Sequence, residues 1–334
     1  MKNYIYILIT FIIFSSCDKK TTPKVITGNA LGTTYSIQFF STKKFPVQQK
    51  IDSVFEVVNA SMSTYIPNSD ISKINKGEQD IRVDDMFKEV FSLSKKIHKE
   101  SNGFFDPTVG NLVNFYGFGA DKFNLEKSTE KLDSLMQFVG FDKVKLNHDG
   151  RIIKEDPRIY IEFNAIGKGY AVDRISAMLN ANNINNYLVE VGGELNTRGK
   201  DLQADKNWYV GIDDPLQNEK RDLVKIISLK NRAMATSGNY RKYRIDSVTG
   251  QKYVHTINPK NGLSKKSDLL SASVLAKTCA EADAYATAFM AMGFQKSKQL
   301  AKQLPEIDVF FIYDEKGSLK SFSTPGFDKV IVKK

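Results

Sequence analysis

Apolar residues recur at helical spacing in two stretches of the first hundred residues. From Pro46 to Met62 they fall at Ile51, Val54, Phe55 and Val58, and from Asp84 to Glu100 at Met86, Val90, Leu93 and Ile97. Each set lines one face of a helix. Asp84 or Asp85 is placed to cap the second. An alanine-rich run predicts a long helix over Thr278–Met292, and Lys296–Leu304 suits a shorter one. Strand-like runs are Thr33–Phe40, Ile159–Phe163, Tyr187–Val191, Trp208–Ile212, Leu223–Leu229, Leu270–Leu275, Ile307–Tyr313 and Val330–Val332. Ile159–Phe163 leads into a helix from about Ile166 to Asn180. Val144–Ile153 reads as a hairpin around Asp149-Gly150, since Asp-Gly favours tight turns. No internal repeat and no Pro/Ser-rich linker divides the chain. The expectation is one composite domain over residues 25–334, α/β or α+β, with mixed sheets and helical insertions.

The first residues follow a different pattern. Lys2 precedes an apolar run from Tyr4 to Phe14, then Ser15-Ser16-Cys17. A basic start, a short apolar segment and small residues at a boundary read as an export signal over residues 1–16. The run is shorter than the ~20 residues of a membrane span. Small residues directly before Cys17 fit lipoprotein processing, with Phe14 where such signals usually carry Leu; an ordinary secretory signal with a chance cysteine is the other reading. Residues 17–24 then form a polar tether. Cys17 and Cys279 are the two cysteines. With Cys17 lipidated no intramolecular disulfide is possible, so the fold stands on its core; Cys279, among alanines, suits a small buried hydrophobe.

With 41% hydrophobic and 26% charged residues the chain is neither disordered nor fibrous. Its net charge of +10 comes from scattered lysines rather than a block. A nucleic acid partner, which calls for a clustered stripe, is therefore not expected. A small anionic ligand or an anionic membrane surface fits.

Candidate chemistry lies in three segments. In Thr278–Ala288, Asp283 and Thr287 are four apart and share a helix face. Their hard oxygens suit Mg²⁺; a packing helix with Asp283 turned to solvent is the bland alternative. In Val254–Gly262, His255 lies near a strand end and is a candidate general base, or a structural histidine. In Ile161–Asp173 a strand runs into a Gly-containing turn and a helix, with Lys168 adding a cation where helix amides attract phosphate; the P-loop spacing is absent. Val191–Glu194 and Ala235–Tyr240 are Gly-containing turns that either face an anion or simply reverse the chain. Ser63-Thr64-Tyr65 and Asn114–Gly119 place aromatics in loops. No CxxC, HExxH, GxSxG or strand-linked GxGxxG motif is present.

The order of these blocks resembles one family, the ApbE-type FAD:protein FMN transferases. The likeness runs through Gly28–Tyr35, Ser63-Thr64-Tyr65, Asn68–Ser72, Phe105–Gly110, Ala165–Asp173, Gly192-Gly193-Glu194, Thr236-Ser237-Gly238, His255–Gly262 and Ala282–Thr287. The resemblance implies transfer of the FMN half of FAD to a Thr or Ser hydroxyl of an acceptor protein, with Mg²⁺ bound and AMP released. It implies Asp283, Thr287 and the Ala165 carbonyl as Mg²⁺ ligands. Leu31, Tyr65, Tyr116, Gly117, Phe118, Glu162, Lys168 and Ile257 would line the FAD site, and His255 would be the base. An exported or membrane electron-transfer subunit would be the acceptor, and lipid on Cys17 would hold the chain to a bacterial envelope membrane. Three positions depart from the usual family pattern: Leu31 for Met, Glu162 for Asp and Asn164 for Gly. A FAD pyrophosphatase giving FMN and AMP, or a non-enzymatic flavin-binding lipoprotein, are the alternatives.

Overall fold

The structure, a computed structural model, describes residues 22–121, 128–215, 222–239, 243–245, 250, 252–264 and 267–333. The proposed signal peptide and Cys17 lie outside the described residues.

Strand β1 (Lys24–Ala30) begins on the last residue assigned to the tether and pairs with β2 (Thr33–Phe39). Ala30 faces Thr33, so Leu31-Gly32 is a two-residue loop with φ of 51° and 73°. Such loops need positive φ at both positions and usually carry Asn-Gly. Leu31 is thus held in a conformation its side chain disfavours.

A largely helical insertion follows: α1 (Val47–Met62), α2 (Asp70–Asn75), α3 (Asp85–Glu100), α4 (Gly110–Phe115) and α5 (Thr129–Met136). The expected faces are the buried ones, Ile51, Phe55 and Val58 in α1 and Val90 and Ile97 in α3. Asp84 is the α3 cap, accepting from the Phe87 N–H at 2.7 Å. The expected hairpin forms as β3 (Val144–Leu146) against β4 (Ile152–Lys154).

Ile159–Phe163 is a correction: Ile159, Ile161 and Phe163 are buried, but the segment joins no ladder among the described residues. Its backbone groups are taken elsewhere. The Asn75 side chain donates to the Ile161 carbonyl and accepts from the Ile161 N–H, and the Glu162 N–H donates to the Pro107 carbonyl. The alternating Ile159, Ile161 and Phe163 reflect burial, not pairing. Helix α6 (Gly167–Ala181) follows.

The second half supplies β5 (Tyr187–Val191), β6 (Glu194–Arg198), β7 (Trp208–Asp213), β8 (Leu223–Leu229), β9 (Ala233–Gly238), β10 (Tyr243–Ile245), β11 (Lys252–Val254) and β12 (Leu269–Ala276). Helices α7 (Cys279–Met292) and α8 (Phe294–Gln303), strands β13 (Asp308–Glu315) and β14 (Ser318–Ser323) and the short α9 (Pro325–Asp328) complete it. Eight strands form one sheet in the order β1-β2-β5-β6-β9-β12-β13-β14, antiparallel at every step. The main sheet therefore follows the chain, with insertions between neighbours. Val330–Val332, expected as a strand, makes only a single bridge, Ile331 to Ile227.

Strand β12 is buried along its whole length. On one face Ala272, Val274 and Ala276 join the main core with the alanines of α7 and with α1 and α6; on the other, Leu275 packs with Ile212, Ile227 and Leu229 of the β7–β8 hairpin. The architecture is of the expected α+β class, helices on a large sheet, but the strand pairs among the described residues are antiparallel where mixed sheets were expected.

Candidate active site

The site is built where α6 meets α7. Gly169 lets them touch, because a Cβ there would lie 2.4 Å from the Cys279 carbonyl. Asp173, one turn further along α6, caps α7 from outside. Its two carboxylate oxygens accept from the Cys279 and Ala280 N–H groups at 2.8 and 2.9 Å. Burial pushes Asp173 up to about 6, against these hydrogen bonds. Thr278 supplies the local cap, accepting from the Glu281 N–H.

With the helix fixed there, Asp283 comes under the amino terminus of α6 and accepts from the Gly169 N–H at 3.1 Å. It is 2% exposed, which removes the solvent-facing alternative. Thr287, one turn on and half-buried, places its hydroxyl 3.4 Å from that of Ser237 on β9. Cys279 is fully buried, as its surroundings suggested.

Lys168 stands between two acids. Its Nζ is 3.7 Å from Asp283 Oδ2 and 3.4 Å from Glu194 Oε1. Burial alone would lower its pKa; Asp283 and Glu194 outweigh that and hold it above the usual lysine range. Glu194, the first residue of β6, is buried, and its Oε2 has no hydrogen-bond partner among the described residues. Burial raises its pKa, Lys168 beside it pulls it down, and the Asp283 charge raises it again.

The Gly192-Gly193 turn is a plain reversal: the Gly192 N–H donates to Thr34 and the Gly193 N–H to the Glu190 side chain. The first bond ties this turn to the Leu31 hairpin, at the same end of the sheet. Ala235–Gly238, also expected as a turn, is part of β9.

A second, aromatic cluster belongs to the insertion. Tyr65, exposed in the loop after α1, donates its hydroxyl to the Phe118 carbonyl at 3.2 Å. Tyr116 is buried, its ring 5.1 Å from Tyr253, with Ile257 in the same packing and Phe118 against it. Gly117 turns the chain between them at φ 78°. Glu162 is buried and bonded by the Asn164 amide; burial pushes it up to about 7, against pulls from Asn164 and Lys168. Burial and then Glu162 raise the Tyr65 hydroxyl. His255 is half-buried beyond the end of β11, between Val254 and Thr256, which are buried.

The stretch from Glu162 to Lys168 joins the two clusters. It carries Ala165, half-buried in the turn before α6. The structure thus brings Lys168 to Asp283, Thr287 to β9, Tyr65 to Phe118 and Ile257 into the packing around Tyr116. Among the described residues no group of three or more His, Cys, Asp and Glu side chains could hold a metal. Asp283 and Thr287, four residues apart on α7, instead offer one carboxylate and one hydroxyl, both hard oxygens. That chemistry fits Mg²⁺, which keeps positions for water and substrate phosphate. Sequence reading passed over Glu194 and Asp173 as site residues. Glu194 looked like the end of a glycine turn, and Asp173 acts on a helix 106 residues away.

A helix-walled antiparallel sheet with a buried acid–lysine–acid group at a helix amino terminus makes an α+β protein with a site suited to a phosphate-bearing ligand. The chain belongs to the ApbE family, whose model matches residues 31–311. The FAD:protein FMN transferase of Haemophilus influenzae is 30% identical over 328 residues, 95% of this chain and 94% of that protein. The solved flavin transferase ApbE of Vibrio cholerae superposes with a TM-score of 0.82 at 28% identity, covering 93% of this chain and 99% of that one. The flavinyl transferase ApbE of Pseudomonas stutzeri, in its apo form, gives 0.81 at 27%, covering 93% and 97%.

Proposed function

We propose that this chain transfers the FMN half of FAD to a Thr or Ser hydroxyl of an acceptor protein and releases AMP. Membership of a family whose relatives carry the name FAD:protein FMN transferase supports the reaction class. The observation that carries the site is Asp283, buried at the amino terminus of α6 beside Lys168. A buried acid there gives a cation and a diphosphate a common place to meet. Helix amides and Lys168 favour the phosphates, and Asp283 favours the metal.

Asp283, Thr287 and the Ala165 carbonyl would hold Mg²⁺, which would withdraw charge from the diphosphate and orient it. Tyr65, Phe118 and Glu162 would line the flavin side, with Tyr116 and Ile257 supporting them from beneath. His255 would accept the proton of the acceptor hydroxyl. That oxygen forms a bond to the phosphorus of the FMN half, the bridging P–O bond breaks, and AMP carries away the electron pair. The residues do positioning and charge stabilisation, which dominate phosphoryl transfer.

The proposed location is the bacterial envelope, with lipid on Cys17. The sheet is consistent with that use. Lys24, where the tether joins, pairs with Phe39 at one end of the strands, whereas Leu31 and Glu194 lie at the other. Seven residues of strand span about 20 Å, so the chain enters the sheet at the end opposite Leu31 and Glu194.

The test is incubation with FAD, MgCl₂ and an exported electron-transfer domain bearing an exposed Thr. Covalent flavin on the acceptor with matching AMP is expected. Free FMN and AMP without covalent flavin would mean hydrolysis, and bound FAD with no AMP would mean a binding protein.

A further inference from the structure

Glu194 has no part in the chemistry just described, yet it is a buried carboxylate beside the site's lysine. Its geometry is specific. One ammonium, Lys168 Nζ, is shared between Glu194 Oε1 at 3.4 Å and Asp283 Oδ2 at 3.7 Å. The far oxygen of Glu194 is buried and has no hydrogen-bond partner among the described residues. The lysine is thus the cation beside Asp283.

A divalent ion arriving at Asp283 would meet that ammonium at close range, where Coulomb repulsion in a buried setting is strong. The lysine must then give up Asp283. Its flexible four-carbon stem permits this, but a buried ammonium needs another partner. Glu194 already touches it and has an oxygen to spare.

We propose that Glu194 is a positioning residue that receives the Lys168 ammonium when a divalent cation takes Asp283, and so sets the metal affinity of the site. This rests on the metal site proposed above. Without the Glu194 charge, Lys168 stays on Asp283 and competes with the metal. Without Lys168, Glu194 has no ammonium to hold and its influence on the metal disappears.

The experiment is titration calorimetry of MgCl₂ into the metal-stripped full chain in detergent, with no FAD present. Wild type, Asp283→Ala, Glu194→Gln, Lys168→Met and Lys168→Met/Glu194→Gln are compared, each checked for a cooperative thermal transition. Wild type should bind Mg²⁺ with a heat that Asp283→Ala abolishes. Glu194→Gln should raise the dissociation constant about tenfold or more, whereas in the Lys168→Met background the same change should move it less than about twofold. If the Asp283-dependent heat is present and Glu194→Gln binds like wild type, the handover is wrong while the metal site stands. If Glu194→Gln weakens binding equally with and without Lys168, Glu194 acts by another route and the proposal is overturned. If wild type shows no Asp283-dependent heat, the metal site itself falls and the handover with it.

Discussion

Asn75 serves as a one-residue strand partner for Ile161. Its amide nitrogen donates to the Ile161 carbonyl and its oxygen accepts from the Ile161 N–H, both at 2.8 Å. The two residues are 86 apart in sequence, and the pair holds the segment that carries Glu162 and the turn into α6. Removing the side chain leaves two backbone groups of a buried residue unpaired. Asn75→Ala should therefore cost about 1–3 kcal/mol of stability and weaken FAD binding, measured by urea denaturation and flavin fluorescence. Unchanged stability would show that the segment is held by packing alone.

Leu31 sits at φ 51° at the tip of the β1–β2 hairpin. Strain of this kind costs on the order of 1–3 kcal/mol and collects at functional sites. Leu31→Gly should raise stability by roughly 1 kcal/mol while weakening FAD binding, because the apolar side chain is lost. A variant that is less stable, with FAD affinity intact, would remove Leu31 from the flavin site.

Glu162 gives a pH signature. Burial raises its pKa from 4.5 to about 7 in the folded state. Between those values the folded chain holds a proton that the unfolded chain has lost. The stabilisation is therefore complete below pH 4.5 and is lost as pH rises towards 7. At 1.36 kcal/mol per pH unit this amounts to about 3 kcal/mol. Glu162→Gln should flatten the ligand-free stability profile across that window. Denaturation midpoints measured from pH 4.5 to 8 check it, and a slope identical to wild type would contradict it.

His255 is assigned the proton transfer alone. His255→Ala should slow flavin transfer about 10²–10⁴-fold, the usual worth of a general base, with FAD affinity about unchanged. Single-turnover transfer and equilibrium FAD titration separate the two. A loss confined to FAD affinity would make His255 a binding group.

Much of the scaffold was legible because burial imposes periodicity. The faces of α1 and α3, the alanine run of α7 and the shared face of Asp283 and Thr287 could all be read from spacing. Strand β9 was not, because Ala235-Thr236-Ser237-Gly238 are small residues of a turn-like kind. They are small because α7 packs directly on the sheet there, and contact with another element leaves no local mark. Ile159–Phe163 failed in the opposite way. Its alternation shows that one face is buried, but burial does not say whether a strand or an asparagine takes the backbone. The second carboxylate at Lys168 and the outside cap of α7 are long-range contacts of Glu194 and Asp173, invisible to spacing.

In the proposed reaction Asp283 and Thr287, with the Ala165 carbonyl, hold a divalent cation against the FAD diphosphate. The most direct measurement is a crystal of the chain with FAD and Mn²⁺ in place of Mg²⁺, read by anomalous scattering. A single strong peak touching Asp283, Thr287 and the diphosphate is expected, absent in Asp283→Ala. A peak elsewhere, or a diphosphate bound away from α7 with these side chains turned from it, would contradict it.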